Sequence, residues 1–215
     1  MAAKLVLETL PMIRFAAVSA VALLTLSACE RRDEPAPTPA PATPVSPPQT
    51  TPAAADPNAL TSDGLGPARI GMTRAELVQV WGEDSQPNAV GGPDPETCDE
   101  FHPTKAPADV RVMIQNGVLT RITAAREATV KTDRGFGVGE DGMAIKQAYG
   151  GAVFAQPHKY EPAPAEDLFV WSRGGSTAYV VDPAARGLRY EVGADGKVKA
   201  IHAGDPSIQL VEGCS

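Results

Sequence analysis

The sequence predicts an α+β fold: two helix-plus-antiparallel-meander units forming one pseudo-symmetric domain, behind a signal peptide and a disordered Pro-rich tether. Three observations predict it. A short glycine-bounded pattern recurs 68 residues further on. Tight-turn dipeptides sit between alternating apolar stretches. The composition changes abruptly near residue 58.

The repeat comes first. Ile70-Gly71-Met72-Thr73-Arg74-Ala75-Glu76-Leu77-Val78-Gln79-Val80-Trp81-Gly82 is echoed by Val138-Gly139-Glu140-Asp141-Gly142-Met143-Ala144-Ile145-Lys146-Gln147-Ala148-Tyr149-Gly150. Thr73 and Asp141 are N-cap residue types, because a short side-chain oxygen can accept from the free amides of a first turn. Thr73 with Glu76 fits a capping box. Leu77, Val80 and Trp81 fall at helical spacing, as do Ile145, Ala148 and Tyr149. Gly82 and Gly150 suit the left-handed residue that stops a helix. Each unit therefore carries one short helix.

Hairpin signals follow each helix. Val110–Gln115 and Val118–Ala124 flank Asn116-Gly117, and Leu188–Val192 and Lys197–Ala203 flank Asp195-Gly196. These dipeptides supply the positive φ that tight hairpins need. A further pair, Leu168–Arg173 and Ser176–Asp182, is expected around Gly174-Gly175. The domain is thus placed at 59–215, with repeat units about 63–130 and 131–215.

Residues 1–28 read as a signal peptide. The uncharged run 15–26 has 12 residues. A membrane-spanning helix needs about 20, but a signal-peptide core does not. Lys4 and Arg14 supply the upstream positive charge. Glu8 is out of place there, and a start at Met12 would put Met-Ile-Arg directly before the run, so Met1 and Met12 both remain open. The run ends Leu26-Ser27-Ala28-Cys29, which resembles the bacterial lipobox. The resemblance implies that Cys29 is lipidated and becomes the first mature residue. Several acyl chains, at about 0.8 kcal/mol per buried methylene, hold a protein on a membrane where one is marginal. Glu30 follows, which favours the outer membrane in lineages that sort by this position.

Residues 29–58 read as the lipidated N-terminus and a Pro/Ala/Thr-rich linker. Pro35 to Pro57 holds 9 prolines in 23 residues. Proline fixes φ and removes a donor, so an extended polyproline-like spacer is expected. A ligand for a proline-binding domain, or a glycosylated stalk, are its other readings. The whole chain carries a formal charge of −7, which argues against nucleic-acid binding.

With Cys29 assigned to lipid, Cys98 and Cys214 remain and are expected to pair, as cysteines of exported domains do. A redox pair lacks Cys-x-x-Cys spacing, and Asp99 and Glu100 oppose a thiolate. His102, His158 and His202 make no zinc motif. Asp94, Glu96, Asp99, Glu100 and His102 cluster in one loop but match no cation cage. Ser176 lacks a nucleophile elbow. Gly135, Gly137 and Gly139 lack the context of a phosphate loop. No pattern asks for a metal or another cofactor. Phe169, Trp171, Tyr179 and Tyr190, on expected strands of the second unit, are the candidate binding surface, since Trp and Tyr are frequent at interaction hot spots. Their alternative place is the core.

The pattern Ile70-Gly71-Met72-Thr73, followed by a short helix ending at Gly82, resembles the SmpA/OmlA family of small outer-membrane lipoproteins. The tandem arrangement is similar to the β-lactamase-inhibitor-protein fold. The second unit, with Glu140-Asp141, fits less closely. These residues specify a cap and a turn, so the resemblance implies a fold and a setting in outer-membrane assembly or maintenance, without site residues. The reading is a lipid-anchored, non-enzymatic envelope lipoprotein, facing the periplasm and binding a protein partner. Its alternatives are a periplasmic enzyme inhibitor, and an envelope hydrolase or small-ligand binder without a recognisable motif.

Overall fold

Local chemistry sets both helices. Helix α1 (Arg74–Trp81) starts at Thr73, whose hydroxyl accepts from the Glu76 amide, while the Glu76 carboxylate accepts from the Thr73 amide at 2.8 Å. Helix α2 (Gly142–Tyr149) starts at Asp141, which accepts from the Met143 amide at 2.8 Å. Gly82 and Gly150 follow them at φ 81° and 55°. This computed structural model describes residues 56–89, 91–174 and 179–215. The signal peptide, Cys29 and most of the tether lie outside the described residues, as does Ser176.

The strands are β1 (Gly64–Leu65), β2 (Ala68–Arg69), β3 (Cys98–Phe101), β4 (Val110–Gln115), β5 (Val118–Ala125), β6 (Val153–Pro157), β7 (Glu166–Arg173), β8 (Arg186–Val192) and β9 (Val198–Gly204). β1 and β2 form a small hairpin. The other seven form one antiparallel sheet in the order β3-β4-β5-β9-β8-β7-β6. Asn116 and Gly117 both take positive φ between β4 and β5. Between β8 and β9 only Gly196 does, and the ladder there shifts register at Glu191/Val192.

The fold is mostly β, which overturns the expected α+β pair of helix-plus-meander units. β5 and β9 pair with each other, Thr123 opposite His202, so the strands fuse into one continuous sheet. Two helices of eight residues each are too short to make a matching layer. The expected strand at Ser176–Asp182 is also corrected. Residues 179–182 are not strand, and the partner of β7 is β8.

The sheet has two dissimilar faces. One is apolar, with Val112, Ile122, Ile201, Leu188 and Leu168 packed under Leu77, Trp81 and Ile145 of the helices. The second is polar. It is crossed by the C-terminal segment, which makes a 3-10 turn at Pro206–Gln209 and ends in the Cys98–Cys214 disulfide. That bond spans 116 residues and ties the chain end to edge strand β3. Replacing both cysteines by alanine should cost about 2–4 kcal/mol in urea unfolding, since it frees the denatured chain. An unchanged midpoint would show the bond to be dispensable.

Candidate functional site

Alternation along four central strands builds the polar face. Register places Arg111, Thr123, His202 and Arg189 in one row across β4, β5, β9 and β8. A neighbouring row runs Glu100, Met113, Arg121, Gly204, Gly187 and Trp171. The two glycines leave room above the sheet. A Cβ on Gly187 would meet the Trp171 ring at 2.7 Å. Asp167 and Glu191 face each other one row further on.

These side chains form a connected, buried network. Arg189 is 1% exposed. It donates to Asp167 at 2.9 Å, to Glu191 at 3.3 Å and to the Ile208 carbonyl at 3.1 Å. Arg121, equally buried, pairs with Glu100 and donates to the carbonyls of Ser207 and Leu210. The C-terminal segment thus supplies carbonyl oxygens where the carboxylates run out. Burial lowers the Arg121 pKa and raises that of Asp167, which Arg189 partly offsets. Glu191 accepts from His202, Arg189 and His158. These bonds, led by His202, hold its pKa at about 2 despite burial. His202 is pushed down to about 3 by burial, with Arg121 and Arg189 adding repulsion.

One part of this network has the outline of a catalytic triad. Thr123 Oγ1 lies 3.0 Å from His202 Nδ1, and His202 Nε2 lies 3.4 Å from Glu191 Oε2. Its order relative to solvent is reversed, however. Glu191 is the accessible member, with a side chain 27% exposed, whereas the Thr123 hydroxyl is sealed beneath. A substrate carbonyl cannot reach that oxygen, so the relay orients side chains and does not attack.

His158, Asp167 and Glu191 have ligand atoms within 4.8 Å of one another, close enough to suggest a metal centre. Their hydrogen bonds speak against it. His158 Nδ1 accepts from the amides of Tyr160 at 3.2 Å and Glu161 at 2.9 Å. The ring proton is therefore on Nε2, the atom that faces Glu191 and that a metal would need bare. Asp167 is committed to Arg189.

Concavities occur elsewhere. A cleft of about 820 Å³ is lined by Leu65, Pro67, Val80, Trp81, Pro107 and Val130, with Asp56, Lys105, Lys131 and Asp133. A second, of about 500 Å³, lies between Ser62, Asp63, Asp133, Arg134, Tyr149 and Val170. Asp133 borders both.

The residues singled out from sequence are dispersed. Tyr190 is in the apolar core, its hydroxyl 2.9 Å from that of Tyr149. Phe169 is buried on the polar face and stacks with Trp171 at 6.4 Å. Tyr179 is 67% exposed, in the loop before β8. The four do not share one surface. The acidic loop cluster also separates, since Asp99 pairs with Arg74 and Glu100 with Arg121. Arg121, Thr123, Asp167, Arg189 and His202 were not anticipated as a group. Their signal was polar residues at alternate positions of four strands, followed by a tail long enough to cover them.

No protein-family model matches the chain, and no curated protein matches it. Among solved structures it is similar to an extracellular protein containing an SCP domain from Bacillus anthracis, at 15% identity and a TM-score of 0.39. The match covers 66% of this chain and 45% of that one, so the chain spans less than half of that protein's length. A likeness of this size carries no inference.

Proposed function

We propose that the chain is a lipoprotein of the bacterial cell envelope, anchored through Cys29 and presenting residues 59–215 as a non-catalytic protein-binding domain. The observation that carries this reading is the distribution of its three cysteines. Cys98 and Cys214 are joined inside the folded domain. Structural disulfides persist in exported proteins. The third cysteine stands behind Leu26-Ser27-Ala28 at the end of an apolar run. Lipid on Cys29 and a proline-rich spacer would hold the domain clear of the headgroups. The inverted Thr123–His202–Glu191 relay favours binding over hydrolysis.

The test is metabolic labelling with a fatty-acid analogue. Label should enter the wild-type chain and be lost in Cys29→Ala, with the protein shifting from the membrane to the soluble fraction. Unlabelled wild-type protein would overturn the anchor. Cross-linking in intact envelopes tests the binding role, and the absence of any reproducible adduct would count against it.

A second reading, a small-ligand binder, is favoured by the cleft beside Trp81. Its volume falls within the range of about 300–1,000 Å³ typical of ligand pockets.

A further inference from the structure

The loop joining β6 to β7, residues 158–165, is held by an unusual acceptor. Its first residue, His158, uses Nδ1 to accept from the backbone amides two and three positions ahead, those of Tyr160 and Glu161. Asparagine and aspartate oxygens do this routinely at turns. An imidazole can do it only while Nδ1 is unprotonated. The other ring nitrogen, Nε2, donates towards Glu191 Oε1 at 3.4 Å. The ring is 6% exposed, with the Tyr160 ring edge-on against it at 6.4 Å.

We propose that His158 is an acid-responsive pivot that releases the Tyr160–Glu161 turn from its place beside the polar face. A second proton on the ring goes to Nδ1 and turns it from acceptor into donor. Nδ1–H then points at two amide N–H groups, and all three donors lack an acceptor. The bond to Glu191 survives, because Nε2 donates in both states and gains charge assistance. The ring therefore stays on the sheet and the turn leaves it.

The charged and titratable groups around the ring are consistent with this division. Glu191 of β8 and Asp167 of β7 face it, with Arg189 of β8 bound to both carboxylates. His202 of β9 reaches the ring only through Glu191. Within the loop, Lys159 lies 5.0 Å from the Tyr160 ring and pairs with Glu212 of the C-terminal segment, and Glu161 accepts from the Ala194 amide. Two carboxylates against one guanidinium leave room for a cationic ring. The base of the loop keeps the bond from the His158 amide to the Ala165 carbonyl at 3.1 Å, but the polar side-chain contacts that remain on the turn, Lys159–Glu212 and Glu161–Ala194, are exposed, and exposed pairs hold weakly.

Hydrogen exchange on the full chain tests this, at about pH 7.5 and about pH 5.5, the span over which imidazoles change charge. After correction for intrinsic exchange, protection of the Tyr160 and Glu161 amides should fall by about tenfold on acidification, while β7 and β8 amides stay protected. His158→Asn supplies an oxygen that accepts the same two amides at either pH, so its turn should stay protected at both. His158→Ala should leave the turn unprotected at both. Wild-type protection that does not change with pH overturns the proposal. So does an asparagine variant that follows the wild-type pH dependence.

Discussion

Replacing Arg189 by methionine is expected to destabilise the domain by about 3–5 kcal/mol, because it leaves a buried carboxylate without its cation. Arg189 and Asp167 are 1% and 5% exposed at their side chains. Burial already raises the Asp167 pKa, and the guanidinium is its main counterweight. Without Arg189, Asp167 must take up a proton or stay charged and buried opposite Glu191 without its cation. The Ile208 carbonyl also loses its donor, which loosens the C-terminal segment over the sheet. Removing both partners should hurt less than removing one. Asp167→Leu in the Arg189→Met background is expected to recover a large share of the loss, since an isosteric apolar pair carries no desolvation cost. Urea unfolding of the two single variants and the double variant measures this coupling. If the double variant loses as much as the sum of the singles, the pair is not coupled and the network does not act as a unit.

How far the fold could be read from sequence follows from the range of each interaction. The capping box at Thr73–Glu76 and the Asn116-Gly117 turn are decided within four residues, so α1 and the β4–β5 hairpin were legible. The pairing of β5 with β9 joins Thr123 to His202 across 79 residues. Nothing local in either strand announces it, and missing it turned one sheet into two units. The Cys98–Cys214 pairing was long-range but legible, because counting thiols needs no geometry. The placement of the four aromatics was not legible for a different reason. Tyr190 alternates with Arg189 and Glu191, which reads as a half-buried strand with its charges in solvent. The charges are in fact covered, because residues 205–215 fold back across them and give Arg189 and Arg121 carbonyl acceptors. An arginine at an alternating position looks the same in sequence whether water or a chain terminus satisfies it.

The same burial makes the domain acid-labile, and His202 should dominate the first part of that loss. Its folded pKa of about 3 lies below the ordinary 6.5, because burial and the nearby Arg121 and Arg189 oppose a second charge. Between those values the unfolded chain binds a proton that the folded chain refuses. Stability therefore rises with pH across this window and falls as the solution is acidified below about 6.5. One proton gives a slope of about 1.4 kcal/mol per pH unit, and the whole window is worth on the order of 5 kcal/mol. Glu191 acts later and in the same direction. Its pKa drops from 4.5 to about 2, so its contribution is full above 4.5 and disappears as pH falls through about 2. The two are linked, since the His202 hydrogen bond is the leading cause of the Glu191 shift. Urea midpoints of the wild type and of His202→Gln, compared at pH 7, 6 and 5, isolate the His202 part, because every other titrating group is common to the two chains. His202→Gln keeps a polar side chain between Thr123 and Glu191 but cannot gain charge. It should lower stability at pH 7 and flatten the decline between pH 6 and 5. A wild-type protein with constant stability from pH 7 to 5 would mean that His202 is not held neutral inside the sheet, and the inverted relay would have to be open to water.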